Sequence, residues 1–358
     1  MDVKKQFDDF LKNIRLTPDH VDDLKTGHST LRKRLRADST LSPLLVADFL
    51  QGSYRRHTAV KPKDGKRADV DIVVVTNLDE VKYTPQQAMN IFKPFLERYY
   101  QGKWQFQGRS IGIEMSYVDL DIVVTSAPSE IAKRAVSSKS IQDDFLLEDI
   151  YEYFTATKAN AFSDPAWKTS PLRIPDREAK CWDDTHPLMQ IVQTSAKNKE
   201  TSGLYINVVK ALKWWRRIHS EPKYPKGYPL EHLVYLACPD SIDSLAEGVT
   251  LSLENIATQY QSDVDAGQTP VIADHGVPTH NVLKRVSAED FKDFHTLICS
   301  AAETAREALE APTIKESCDK WRLLFGEEFP EPPDQGDVKK GSFEAPQEAS
   351  SPSTGRFA

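Results

Sequence analysis

The chain has 358 residues, 39% of them hydrophobic and 28% charged, proportions of a water-soluble globular protein with room for two lobes. Its formal net charge of −7 argues against a long nucleic acid as a constant partner, because neutralising many phosphates needs a basic face. No apolar run approaches the ~18 residues of a membrane span, and the opening MDVKKQFDDF lacks the apolar stretch of a secretory signal, so a cytoplasmic location is expected.

Two helices come first. Phe7, Phe10, Leu11 and Ile14 form an apolar stripe, and after Thr17-Pro18 the residues Val21, Leu24, His28, Leu31 and Leu35 predict a long amphipathic helix ending near Arg36. LLVADFL at 44–50 reads as a strand entering a tight turn at Gly52-Ser53, and DVDIVVV at 69–75 reads as the next strand. A helix is expected from Pro85 to about Tyr100, and alternation in WQFQG, IGIEMSY and VDLDIVV predicts three more strands between 104 and 124. From Ser129 onward the β-pattern yields to helices, over 201–219 and around 230–237, 252–262, 287–300 and 301–311. Residues 326–358 hold five prolines and only three aromatics, too little apolar surface to offset chain entropy, and read as a disordered tail.

Charge and cysteine placement refine this outline. Residues 1–70 hold 15 Lys/Arg against 10 Asp and no Glu, whereas 326–358 hold 3 Lys/Arg against 7 Asp/Glu. The acidic total therefore owes much to the tail, and the rest suits a small polyphosphate held by a few placed cations. Cys181, Cys238, Cys299 and Cys318 match neither a zinc spacing nor a dense disulfide framework and read as reduced thiols. The nine histidines, among them His232, His275 and His280, show no metal pattern.

Three groups of residues could carry chemistry. Gly52-Ser53 ends a strand and precedes the potentially helical YRRHTAV, where glycine admits close phosphate approach and serine adds a hydroxyl donor; as a dipeptide it also reads as an ordinary turn. Asp69 and Asp71 project from one strand face and repel unless a cation lies between them, which favours Mg²⁺ or Mn²⁺ on hard oxygen ligands, although an Asp-x-Asp can also merely solubilise an edge strand. VDLDIVV at 118–124 echoes VDIVVV at 70–75 and supplies a third carboxylate, Asp121 by its matching apolar run, with Asp119 as the alternative. Three converging carboxylates suit two-metal phosphoryl transfer. In the helix over 201–219, Lys210, Lys213 and Arg217 line one face as a phosphate clamp or a solvated basic face, and Arg55 and Arg56 add candidate cations. Tyr224 and Tyr228, in KYPKGYPLEHL, could stack on a nucleobase or serve the core.

Gln51-Gly52-Ser53-Tyr54 with Thr58, Asp69-Val-Asp71 and a third strand Asp resemble the Pol-β-type nucleotidyltransferases. More narrowly they resemble the bacterial cGAS/DncV-like nucleotidyltransferases (CD-NTases) that make cyclic oligonucleotide second messengers in anti-phage defence (CBASS). The long helix before the motifs, the helix carrying Lys213, GYPLEHL and the loop to Asn281-Val282 fall in family order, so the resemblance covers roughly residues 1–325. It implies an α+β, bilobed fold: a Pol-β-like core of mixed β-sheet with helices over 1–130, an α-helical substrate-binding lobe over 131–325, and the tail over 326–358. It further implies that Asp69, Asp71 and Asp121 are catalytic and bind two Mg²⁺ ions, and that Gln51, Gly52, Ser53, Lys213 and Tyr228 bind nucleotide.

The product so implied is an adenine-containing ring, as made by clade D members, cyclic AMP-AMP-GMP among them, from NTPs with release of pyrophosphate. Gly227 stands before Tyr228 where many relatives have serine, so a hydroxyl contact to triphosphate is missing. In the subset of such systems with ubiquitin-transfer-like proteins the synthase's C-terminus is joined to a target, which would make Ala358 a conjugation site; a plain disordered end is the alternative. Two rival readings remain: a nucleotidyltransferase acting on a protein, a tRNA end or an antibiotic, and a non-catalytic nucleotide-sensing scaffold.

Overall fold

A computed structural model describes residues 3–63, 65–127 and 171–332. Its strands are β1 (Leu45–Gln51), β2 (Ala68–Thr76), β3 (Trp104–Phe106), β4 (Ile111–Glu114), β5 (Val118–Ser126), β6 (Leu172–Asp176) and β7 (Cys181–Thr185). They form one mixed sheet in the order β1-β2-β5-β4-β3, with β6 joined to β5 and β7 to β6. β2 and β5 run parallel, while the other pairs are antiparallel. The architecture is α+β, as expected.

The two central strands are covered on both faces, which is why their apolar runs are continuous. On one face Val70, Ile72, Val74, Leu120, Ile122 and Val124 pack with α2 (Pro18–Ala37) and α5 (Lys93–Tyr100), through Leu24, Leu31, Leu35 and Phe95. On the other face Val73, Val75 and Val123 meet Phe49, Leu172, and Leu188 and Ile191 of α6 (Pro187–Glu200). Thr17 caps α2 by accepting the His20 N–H, and Pro18 opens the helix. The expected helix from Pro85 to Tyr100 is two helices, α4 (Pro85–Asn90) and α5, parted at Ile91 and Phe92.

A second core joins α1 (Lys4–Ile14), α7 (Tyr205–Ile218), α8 (Tyr228–Ala237), α9 (Leu245–Gln259), α11 (Ala288–Glu310) and α12 (Ile314–Phe325), with α10 (Gln261–Asp265) beside them. The two segments expected over 287–311 are one continuous helix, α11. α3 (Gly52–Arg55) is a single turn.

Three sequence expectations are corrected. The helical α1 is grouped with the helical core rather than the sheet, because Phe7 packs edge-on against Trp321, Phe325 and Phe329 and Phe10 stacks on Phe325. Strands return after Ser129: β6 and β7 pair as a hairpin on β5. Residues 326–332, assigned to the tail by composition, include a 3-10 turn at Gly326–Glu328, and Phe329 is fully buried in the helical core. The remainder of the expected tail, with Ala358, lies outside the described residues, as does the stretch 128–170. Among the described residues no helix is long and apolar enough to cross a membrane.

Candidate active site

The candidate site forms where β2 and β5 begin. In their parallel register Asp69 lies opposite Asp119 and Asp71 opposite Asp121. Alternate residues share a face, so these four carboxylates lie on the side that carries Val73, Val75 and Val123 further along. Each strand is thus polar at its start and anchored by packed valines beyond, which holds the carboxylates on rigid backbone.

β1 brings the Gly-Ser turn to the same place. Gln51 pairs with Asp71, and the chain turns at Gly52 into α3. Gly52 has φ +73°, and a Cβ there would lie 1.8 Å from Asp71 Oδ2. Both the backbone angle and the close carboxylate require glycine. The carbonyl of Ser53 accepts the N–H groups of Thr58 at 2.9 Å and Ala59 at 3.1 Å, closing the segment into a tight loop.

The positive charge near Asp71 and Asp121 does not offset their burial and mutual repulsion. Burial pushes the Asp71 carboxyl up to about 7, with Asp69 and Asp121 adding to the shift against Arg56 and Lys213. Burial likewise raises Asp121 to about 6, opposed by a hydrogen bond from Ser110 and reinforced by Asp69 and Asp119. Ser110 Oγ donates to Asp121 Oδ1 at 3.3 Å. Asp119 is engaged differently, since its Oδ1 accepts Arg67 Nε at 2.7 Å. The structure therefore gives the two alternatives different partners and sets Asp121 level with Asp71.

An all-oxygen set of mutually repelling carboxylates fits a hard divalent cation in donor chemistry. Among the described residues no three His, Cys, Asp or Glu side chains already close around one point, so Asp69, Asp71 and Asp121 share a face without a formed cage.

Lys213 and Tyr228 approach from the helical core. The Lys213 ammonium is 2.7 Å from Glu231 Oε1, and it and Arg56 are the cations that act on Asp71. Tyr228 opens α8 with the Arg56 guanidinium 5.5 Å from its ring centroid and its hydroxyl 3.3 Å from His232 Nδ1. Its phenol is pushed far up by burial and by Asp274. Gly227 caps this helix at φ +62°, a backbone angle that disfavours residues with a Cβ. Lys210 lies one turn before Lys213, lowered to about 8 by burial and by Arg15 and Lys213. Arg217 is turned away, bonding the Lys61 carbonyl and lying over Trp214. Arg55 is buried.

Sequence reasoning missed Glu231, Ser110 and Arg67. Glu231 had a signal: it is the one acidic residue in the apolar helix YPLEHLVYLA, where a carboxylate needs partners. Ser110 and Arg67 have none, because their roles depend on how β4 and the start of β2 meet β5.

Parallel strands bearing level carboxylates beside a Gly-Ser turn define a nucleotidyltransferase core. The family model described as Second Messenger Oligonucleotide or Dinucleotide Synthetase domain matches residues 1–128. The chain is 44% identical over 381 residues to the cyclic AMP-AMP-GMP synthase of Enterobacter hormaechei subsp. hoffmannii, covering 100% of both chains. It is 28% identical over 335 residues to the cyclic AMP-AMP-AMP synthase of an Acinetobacter species, covering 92% of this chain and 86% of the relative. Among solved structures, the Bradyrhizobium diazoefficiens CD-NTase CdnG in complex with GTP superposes with a TM-score of 0.66 at 15% identity, covering 90% of this chain and 94% of that one. E. coli MS115-1 CdnC with ATP gives 0.63 at 16% identity, covering 91% and 98%. At such identities these two speak for the fold alone. The chain belongs to the cGAS/DncV-like nucleotidyltransferases, the CD-NTases, which synthesise cyclic oligonucleotides.

Proposed function

We propose that this CD-NTase joins ATP and GTP into cyclic AMP-AMP-GMP as a signal in anti-phage defence. The observation that carries the proposal is the 44% identity with a cyclic AMP-AMP-GMP synthase across 100% of both chains. For each phosphodiester formed, a ribose hydroxyl of one nucleotide attacks the α-phosphate of the next, loses its proton and releases one pyrophosphate. The last attack closes the ring.

Asp69, Asp71 and Asp121 would hold two Mg²⁺ ions, which when bound neutralise the triphosphate and ease deprotonation of the attacking hydroxyl. The chain's other residues position the substrates. Gly52 lets the Asp71 carboxylate lie against the turn, and the Gln51 amide and the Ser53 hydroxyl are the neighbouring donors for phosphate. Lys213 neutralises phosphate charge from the opposite wall. Tyr228 stacks on a base, and Arg56 behind its ring stiffens that platform. Catalysis rests on positioning and charge, with no covalent enzyme intermediate.

Incubation with Mg²⁺ and labelled ATP, GTP or both tests the proposal. The phosphatase-resistant product should reach full yield only with both nucleotides, and Asp71→Asn should abolish it while keeping the fold. A label that extends linear RNA ends or attaches to protein overturns it.

A further inference from the structure

The Glu231 carboxylate lies between the two halves of the site and is 5% exposed. Its Oε1 accepts the Lys213 ammonium at 2.7 Å. Its Oε2 accepts Arg56 Nε and Nη2, each at 3.2 Å, and the Thr58 hydroxyl at 3.0 Å. Arg56 and Thr58 belong to the segment that follows the Gly52-Ser53 turn, Lys213 to α7, and Glu231 to α8, three residues after Tyr228. One carboxylate therefore ties the turn, the cation helix and the helix of the base platform together. Burial opposes its ionisation, but Arg56 and Lys213, with the Thr58 bond, outweigh burial and keep the carboxyl below its ordinary range.

We infer that Glu231 is a positioning residue for nucleotide binding: it holds the Lys213 ammonium and the Arg56 guanidinium in place beside Asp71 before the triphosphate arrives. A free lysine side chain explores many rotamers, and a phosphate that captures it must bear the cost of ordering it. Glu231 meets that cost in the folded protein, so the ammonium is preorganised. One carboxylate facing two cations also leaves a single net positive charge, and both cations act on Asp71. That residual charge suits an arriving phosphate, whereas full neutralisation would not. The inference rests on the reading in which Lys213 contacts the triphosphate.

The test is titration of the full chain with Mg²⁺ and an ATP analogue carrying a non-hydrolysable α,β-methylene link, alongside thermal melting. Glu231→Gln keeps the shape and removes the charge; the analogue's Kd is expected to rise about tenfold, as for loss of a charged hydrogen bond. In a Lys213→Ala background the same change should add clearly less than tenfold, since the part of its effect that runs through the Lys213 ammonium is already lost and only the Arg56 part remains. An unchanged Kd with a lowered melting temperature would make Glu231 a bridge between elements only and overturn the inference. Effects that multiply in the double variant overturn it as well. Should Glu231→Gln not fold, Glu231→Asp asks the same question, its carboxylate withdrawn by one methylene. Weakening confined to the Lys213 background supports the inference, and equal weakening with Lys213→Ala refutes it. If Lys213→Ala alone binds the analogue like the wild type, the phosphate role of Lys213 falls, and the inference falls with it.

Discussion

Asp71 stands opposite Asp121 across the in-register parallel pairing of β2 and β5, with Gly52, just after β1, pressed against the Asp71 carboxylate. Three strands thus converge on one carboxylate, and what surrounds it favours the neutral form. The arrangement costs the metal-free protein stability and makes a cation its natural complement.

That cost is measurable through pH. The Asp71 carboxyl is raised from 3.8 to about 7 by burial and by Asp69 and Asp121. The native state therefore binds this proton more tightly than the unfolded chain does. The contribution of Asp71 to stability is fully present below pH 4 and is lost as pH rises through about 7. Asp71→Asn should leave melting in a chelator nearly unchanged near pH 4 and stabilise the protein by up to about 4 kcal/mol at pH 8. With Mg²⁺ added, the wild type should gain stability that the variant does not. Urea midpoints across this range check both expectations.

At Gly52 a single methyl is expected to be enough to disrupt the site. The Cβ of Gly52→Ala would overlap Asp71 Oδ2 at 1.8 Å, and φ +73° would strain the new residue. A cost of about 1–3 kcal/mol is expected from the backbone angle and displaced carboxylate together. Product formation should fall well beyond what that loss of stability explains, as read by initial rates under conditions where the variant remains folded.

The two aspartates of β5 should separate cleanly. Asp121→Asn removes a carboxylate level with Asp71 and should lower the rate at least about a thousandfold. Asp119→Asn loses an ion pair with Arg67 in which both side chains are about one-third exposed, a contact worth about 0.5 kcal/mol. Its rate should stay within about threefold of wild type. Steady-state rates at saturating Mg²⁺ distinguish the pair, and the reverse order would make Asp119 the third ligand.

Phe329 offers a test away from the chemistry. Its fully buried ring sits 5.1 Å from Phe7 and 5.6 Å from Phe10, centroid to centroid. Phe329→Ala should destabilise the protein by about 3–5 kcal/mol in equilibrium unfolding.

The strands and their carboxylates were legible because β2 and β5 carry the same pattern, acidic residues followed by a valine-rich run, and a period of two assigns each residue a face. The echo suggests a third carboxylate, and the parallel register of β2 and β5 is what sets Asp71 beside Asp121. The hairpin β6–β7 escaped notice because LRIPD contains Pro175 and CWDDT carries two aspartates, so neither reads as a strand. The place of α1 was hidden because its stripe of Phe7, Phe10, Leu11 and Ile14 shows that a face is buried without showing against what. Phe329 was masked by the prolines around it. Lys213 was visible as a cation, but its Glu231 partner is 18 positions away, and only tertiary packing unites them.

Mass spectrometry of the product made from ATP and GTP with Mg²⁺, after phosphatase treatment, tests the central claim most directly. The result expected is a cyclic trinucleotide of two adenylates and one guanylate, absent with Asp69→Asn or Asp71→Asn. A linear oligonucleotide, a nucleotidylated protein, or the same ring from the aspartate variants would contradict it.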